Sequence, residues 1–297
     1  MKRETQRILL LLVTVLPFFL WSCSSNDDEL DSATANINAN LKADGPEAAR
    51  LEIPKLKGGV VNRFLVKKVP TFGINYCVEW DDAKKAQRWT AFRWDSSNSV
   101  RNTSRADEPF AEDQQIPAAY RTYLSQYAGS GYTRGHICAS ADRLCSVEAN
   151  VQTFLLSNMH PQYYNFNVGG IWESLEKKVR TWNTPDFRDT LYVVKGGTID
   201  HESDIIERTS SGLIVPKYFF MAILCKNKST VNEGYKAIGF YLEHKREHYA
   251  DEENVKPYIV SIDKLENLTG IDFFCNLPDR IENQVENNVT PAAWGFQ

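Results

Sequence analysis

The chain has no Cys-x-x-Cys pair, no internal repeat, no surplus of positive charge and no apolar run long enough to cross a bilayer as a helix. Each lack excludes something. Without closely paired cysteines a zinc ribbon is ruled out. Without a period the chain is not a repeat array. A formal net charge of −4 provides no global field to hold a long polyanion, so any such contact must rest on a local basic patch and a metal ion. Strand-like and helix-like segments do not alternate regularly, which excludes a sheet built from βαβ units.

What is present suits one large domain or two small ones: 297 residues, 42% hydrophobic and 12% aromatic, enough to fill a core. The front end reads differently. Lys2, Arg3 and Arg7 precede an apolar run from Ile8 to Trp21, the layout of an export signal. Leu20-Trp21-Ser22-Cys23 resembles a bacterial lipobox, whose cysteine takes the lipid and becomes the mature N-terminus. Residues 1–22 are then a lipoprotein signal peptide. Three basic residues and one acidic residue leave with it, so the mature charge is about −6. Ser24-Ser25-Asn26-Asp27-Asp28-Glu29 resembles the export tethers of surface lipoproteins in some Gram-negative bacteria. Residues 23–57 are expected to be a flexible tether, because the Ala-, Asn- and Asp-rich stretch to about Arg50 holds too few large apolar side chains to repay ordering. The expected location is the bacterial outer membrane, anchored through lipidated Cys23 and facing the periplasm or the cell surface. In that oxidising compartment Cys77, Cys138, Cys145, Cys225 and Cys275 can form at most two disulfides.

Beyond the tether, the stretches 60–66, 76–80 and 89–94 are β-branched and aromatic and read as an antiparallel meander. The polar stretch 95–117, with Arg101 and Arg105, is long for a loop inside a domain, which marks it as functional. Residues 120–127 read as a short helix. Residues 191–194, 218–224, 237–242 and 271–274 read as strands, 262–268 and 279–286 as helices. The expected fold class is α+β, a mainly antiparallel central sheet flanked by helices, in one domain over residues 58–297.

The chemistry concentrates between Gly131 and Arg180. His136 sits in a Gly-containing turn, and Asn158 and Asn167 follow. A helix from about Ile171 carries Glu173, Glu176 and Arg180 on one stripe and Trp172, Leu175, Val179 and Trp182 on the other. Glu176 and Arg180 form an i,i+4 pair in the favourable order. An imidazole of near-neutral pKa can serve as a general base. An amide oxygen such as that of Asn167 suits a hard divalent cation, and a carboxylate such as Glu176 can hold a metal-bound water. That inventory suits a metal-dependent phosphodiesterase acting on nucleic acid.

Three linked segments, Thr133-Arg134-Gly135-His136, Ser157-Asn158-Met159-His160-Pro161-Gln162 and Asn167…Trp172…Leu175-Glu176, carry a resemblance. Together they resemble the DNA/RNA non-specific endonuclease family of the ββα-metal (His-Me finger) superfamily, whose motif runs DRGH, SNxxPQ and Asn-Gln-Gly-x-Trp-x-x-Leu-Glu. The resemblance implies a ββα-metal active-site core, cleavage of DNA, with RNA as a further substrate, and a Mg²⁺ cofactor with Mn²⁺ as a substitute. It implies His136 as general base, Asn167 as the protein ligand of the metal and Glu176 ordering its water shell. Arg134 and Arg180 would bind phosphate, and Asn158 would support the site by hydrogen bonds. The family also places an arginine from upstream on the scissile phosphate; Arg105 is the candidate here and Arg101 the second choice. No protein partner is implied.

Two departures stand out. Thr133 replaces the family's Asp, and the segment from Asn167 to Trp172 is one residue longer. The extra residue is expected at Gly169-Gly170; a shift instead would make Asn165 the competing ligand. These departures and the acidic charge motivate an alternative, a catalytically impaired nucleic-acid-binding lipoprotein. His160 is expected either to touch metal or nucleotide or to be a polar surface residue. Finally, His244-Lys245-Arg246-Glu247-His248 spells the HxxEH of inverted zinc peptidases, but it follows a strand-like run where that motif needs a helix.

Overall fold

A computed structural model describes residues 35–107, 110–246 and 254–297. The strands are β1 (Asn62–Val69), β2 (Gly73–Asp81), β3 (Ala86–Trp94), β4 (Thr133–His136), β5 (Met159–Gln162), β6 (Thr190–Gly197), β7 (Ile205–Arg208), β8 (Ile214–Pro216), β9 (Tyr218–Lys226), β10 (Tyr235–Glu243) and β11 (Ile259–Val260). The α-helices are α1 (Val147–Gln152), α2 (Tyr164–Asn167), α3 (Ile171–Thr181), α4 (Ile262–Thr269) and α5 (Asp279–Glu286). Seven strands form one sheet in the order β1-β2-β3-β6-β9-β10-β11, with every neighbouring pair antiparallel. The expected α+β class with a mainly antiparallel sheet is what the chain adopts.

The period of two along each strand decides what each face buries. In β9, Phe219, Met221, Ile223 and Cys225 enter one core, and Phe220, Ala222 and Leu224 enter the other. Both faces are covered, so the strand reads as an unbroken apolar run. On the first face α3 lays Trp172, Leu175, Val179 and Trp182. On the second, α4 and α5 lay Ile262, Leu265, Ile281 and Val285. The ends of α4 are chemically marked: Ser261 accepts the Lys264 N–H, and Gly270 closes the helix at φ 67.

Three expectations need correction. The stretch 271–274 is not a strand. Phe274 has φ 53, and the Phe273 N–H donates to the Glu266 carboxylate at 2.7 Å rather than to a neighbouring strand. Residues 120–127 form no α-helix; the chain makes two 3-10 turns, Ala118–Tyr120 and Leu124–Tyr127. Nor is residue 57 the end of a free tether, because from residue 35 the chain is laid against the second core. Asn36 Nδ2 donates to the Leu277 carbonyl at 2.6 Å, Asn40 Nδ2 reaches the Ala48 and Pro54 carbonyls at 3.0 Å, and Ile53 is fully buried. Amide side chains satisfying backbone groups do the ordering there, and a count of apolar residues does not see them.

The signal peptide, Cys23 and the acidic run 24–29 lie outside the described residues. Among those described, no helix is long and apolar enough to cross a membrane. Cys77, Cys138, Cys145, Cys225 and Cys275 are all buried free thiols.

Candidate active site

A small ββα unit stands on the first face of the sheet. β4 pairs antiparallel with β5, Thr133 opposite Gln162 and His136 opposite Met159. The close approach requires Gly135. A Cβ there would lie 2.0 Å from Gln162 Oε1, and Gln162 is fully buried. From β5 the chain turns through α2 into α3. The corner depends on Gly170, whose added Cβ would meet the Asn165 carbonyl oxygen at 2.1 Å. Within the longer segment Gly169 takes φ +68, a turn conformation that glycine adopts without strain.

This turn of chain brings the predicted residues together. Arg105, Arg134, His136, Asn167, Glu173, Glu176 and Arg180 line one open cleft of about 490 Å³. Asn167 Nδ2 donates to Thr133 Oγ1 at 3.0 Å, and that hydroxyl donates to the Gln162 carbonyl at 2.9 Å. Thr133 therefore positions Asn167, and the residue that departs from the family's acid is fully used. Asn165 does not line the cleft. Asn158 does not either: fully buried, it accepts the Cys138 N–H and donates to the Cys138 and Thr153 carbonyls, each at 2.8 Å. It clamps the backbone two residues past His136. Trp172 Nε1 holds the His136 carbonyl at 3.1 Å, tying α3 to β4.

The His136 ring packs against Phe110 at 5.5 Å and edge-on against Phe154 at 5.1 Å, with Nε2 buried and without a hydrogen-bond partner among the described residues. Burial, then the Arg105 cation, hold the imidazole well below its ordinary range, with Asp142 opposing. It is uncharged at neutral pH. Arg134 stacks over Phe110 at 4.3 Å and Arg105 over Phe154 at 4.9 Å, so the two aromatics seat both guanidinium groups. The loop carrying Arg105 is pinned where the Ala106 N–H donates to Asn150 Oδ1 at 2.7 Å. Arg101 is not among the residues lining this cleft.

Beneath the cleft lies a charge network in which Glu176 and Arg180 are among the predicted site residues and Asp142 and Lys195 are not. Arg180 Nη1 donates to Asp142 Oδ1 at 2.8 Å, closer than to its helical partner Glu176 at 3.9 Å. Lys195 of β6, fully buried, bridges Asp142 at 3.0 Å and Glu176 at 3.4 Å. Burial works against the charge on Asp142, yet Lys195 and Arg180 outweigh it and hold its carboxyl below the usual range. Burial dominates at Glu176 and raises it to about 7 against the pull of Lys195. A signal for Lys195 existed: a lysine directly follows the apolar run 191–194, and a charge in a strand covered on both faces needs a buried partner.

His160 corrects its expectation. It is 1% exposed, lies edge-on to Phe219 at 5.8 Å and is absent from the cleft, so it is neither a surface residue nor a contact for metal or nucleotide. Burial pushes its pKa down to about 3. A depressed imidazole stabilises the fold fully above its unfolded pKa of about 6.5, and that stability drains away as pH falls from there toward the folded value. At pH 5.5 the loss is on the order of 1 kcal/mol for this one group. Urea midpoints at pH 7.5 and 5.5 should therefore differ more in the wild type than in His160→Leu; equal differences would refute the assignment.

The peptidase spelling also fails. His244 Nδ1 donates to the Pro216 carbonyl at 2.9 Å, and Nε2 accepts the Tyr163 N–H at 2.8 Å. With both nitrogens engaged the ring cannot ligate zinc; Glu247 and His248 lie outside the described residues.

A model of the DNA/RNA non-specific endonuclease family matches residues 61–280. A nuclease of Nostoc sp. is 32% identical over 220 residues, covering 72% of this chain and 76% of that protein. The mitochondrial nuclease EXOG of Xenopus laevis is 31% identical over 213 residues, covering 69% of this chain; the chain spans only 58% of EXOG's own length. A crystal structure of the EndoG/EndoGI complex aligns with a TM-score of 0.60 at 20% identity, over 74% of this chain and 90% of that one, which speaks for the fold. Taken with the ββα unit and its cleft, these matches place the chain in the DNA/RNA non-specific endonuclease family, as an enzyme that hydrolyses nucleic acid.

Proposed function

We propose that this endonuclease cleaves phosphodiester bonds of DNA, with RNA as a further substrate, using His136 as general base and a divalent cation, Mg²⁺ or in its place Mn²⁺, held through the Asn167 amide oxygen. The observation that carries the reading is the convergence of His136 and Asn167 on one cleft, with Thr133 orienting the amide. The donor set fits such an ion. Asn167 commits its Nδ2 to Thr133, and its Oδ1 accepts no hydrogen bond among the described residues. The nearby acids of the cleft are the carboxylates Glu173 and Glu176, so all the donors are hard oxygens. A bound cation would draw charge from the phosphate and ease departure of the leaving oxygen.

The chain's own residues do the rest. Arg105, Arg134 and Arg180 supply the local positive patch that the net charge of −4 does not. His136 is uncharged at rest and takes the proton of the attacking water. Burial depresses it most, and Arg105 and Arg134 add to that; a bound phosphodiester would offset these two cations and so raise its basicity. Glu176 is held beside Lys195 and orders water near Asn167. The alternative, a catalytically impaired nucleic-acid-binding lipoprotein, predicts binding without turnover; the two hydrogen bonds by which Thr133 orients the proposed ligand favour the active reading.

The test is plasmid degradation by metal-stripped protein, with Mg²⁺ or Mn²⁺ added back. Wild type should regain activity, and Asn167→Ala should stay at least about 100-fold slower at saturating Mg²⁺. Wild-type rates in Asn167→Ala would remove the ligand assignment. We further propose export and outer-membrane anchoring through Cys23. Cys23→Ser should then lose metabolic palmitate label and move to the soluble fraction.

A further inference from the structure

The face of the sheet opposite the cleft carries a second concentration of charge. Asp263 and Glu266 of α4 and Glu286 at the end of α5 bring carboxylate oxygens within 4.8 Å of one another. Glu286 is only 5% exposed, and its Oε1 is buried with no hydrogen-bond partner among the described residues. Asp272 and Glu282 stand beside them, both accepting from Asn38 Nδ2. None of these five carboxylates takes part in an ion pair among the described residues. The neighbouring Lys55 spends its ammonium on the Asn38 and Ala39 carbonyls, at 2.7 and 2.6 Å.

Left bare, such a cluster is unfavourable three times over. Like charges repel at short range, and burial removes the water that would screen them. Glu286 also sits at a helix C-terminus, where the dipole adds its own negative end. Protons or a metal ion can offset this. Protons would have to be taken up at neutral pH by carboxyls that a cation would leave ionised.

We propose that Asp263, Glu266 and Glu286 bind a structural Ca²⁺ that staples α4 to α5. Calcium takes oxygen ligands at about 2.3–2.6 Å in a flexible shell, which three carboxylate oxygens lying within 4.8 Å of one another can enter with small side-chain adjustments. Magnesium demands a tighter octahedron, about 4.2 Å across, and keeps several waters, which a half-buried carboxylate cluster does not favour. Glu266 gives one oxygen to the Phe273 N–H, so the ion would also steady the turn after α4. This site shares no residue with the cleft and does not depend on the reading of it.

The experiment uses the full chain carrying Asn167→Ala, which removes the proposed active-site ligand. Equilibrium dialysis should find one Ca²⁺ per chain, and Glu286→Gln in the same background should abolish it. Calcium at a hundredfold excess over its Kd should raise Tm by about 5 °C, with KCl of equal ionic strength giving no rise. Asp263→Asn, at a half-exposed position, repeats the test should Glu286→Gln fold poorly. No bound calcium in the Asn167→Ala chain, retention of it in both variants, or an equal rise with Mg²⁺ would each overturn the proposal.

Discussion

His136→Ala should cut plasmid DNA about 10²- to 10⁴-fold more slowly than wild type in Mg²⁺, with little change in KM. The split follows from where the groups sit. Arg105, Arg134 and Arg180 line the cleft independently of the imidazole, so affinity for the polyanion survives. Proton removal from water does not, because His136 is the one imidazole among the described residues lining the cleft. Glu176, raised to about 7, is the nearest substitute, but it is tied to Lys195 at 3.4 Å. A variant that cuts as fast as wild type would end the assignment of the base. One that loses affinity in proportion to rate would make His136 a binding residue.

Lys195→Met should destabilise the fold by about 3–5 kcal/mol, the largest effect expected of any single change under the site. Asp142 and Glu176 would lose their shared cation, and Asp142 is 4% exposed, so water cannot replace it. Arg180 would still hold Asp142 at 2.8 Å, which leaves Glu176 as the group most exposed to the loss. Adding Glu176→Gln should recover part of the stability, since removing both charges costs less than stranding one. Urea unfolding of the three proteins measures this. A loss under 1 kcal/mol in Lys195→Met would show that the network is not coupled as described. Activity should fall as well, because Lys195 positions Glu176.

The chemistry was legible because it is local in the chain. His136, Asn167 and Glu176 fall within about forty residues, and the ββα turn brings such near neighbours to one cleft. The amphipathic stripe of α3 and the two-sided burial of β9 were legible for the same reason: side-chain period is a local property. The two glycines at the corners were visible as letters, but not the Gln162 side chain and Asn165 carbonyl that forbid a Cβ there.

What pattern could not reach depends on residues far apart. Asn36, Asn38 and Asn40 order the N-terminal segment through groups more than two hundred residues away, so a stretch composed like a leash is laid down as structure. Lys195 is joined to Asp142 across 53 positions, and Glu286 faces Asp263 only because two separate helices settle on one sheet. Sequence by itself determined the periodicity of the elements and the identity of the reactive groups, since both are carried by neighbouring side chains. Only the packed sheet decided which charges are partnered and which stand bare, because the energy of a buried charge is set by whatever the fold brings within a few ångströms of it.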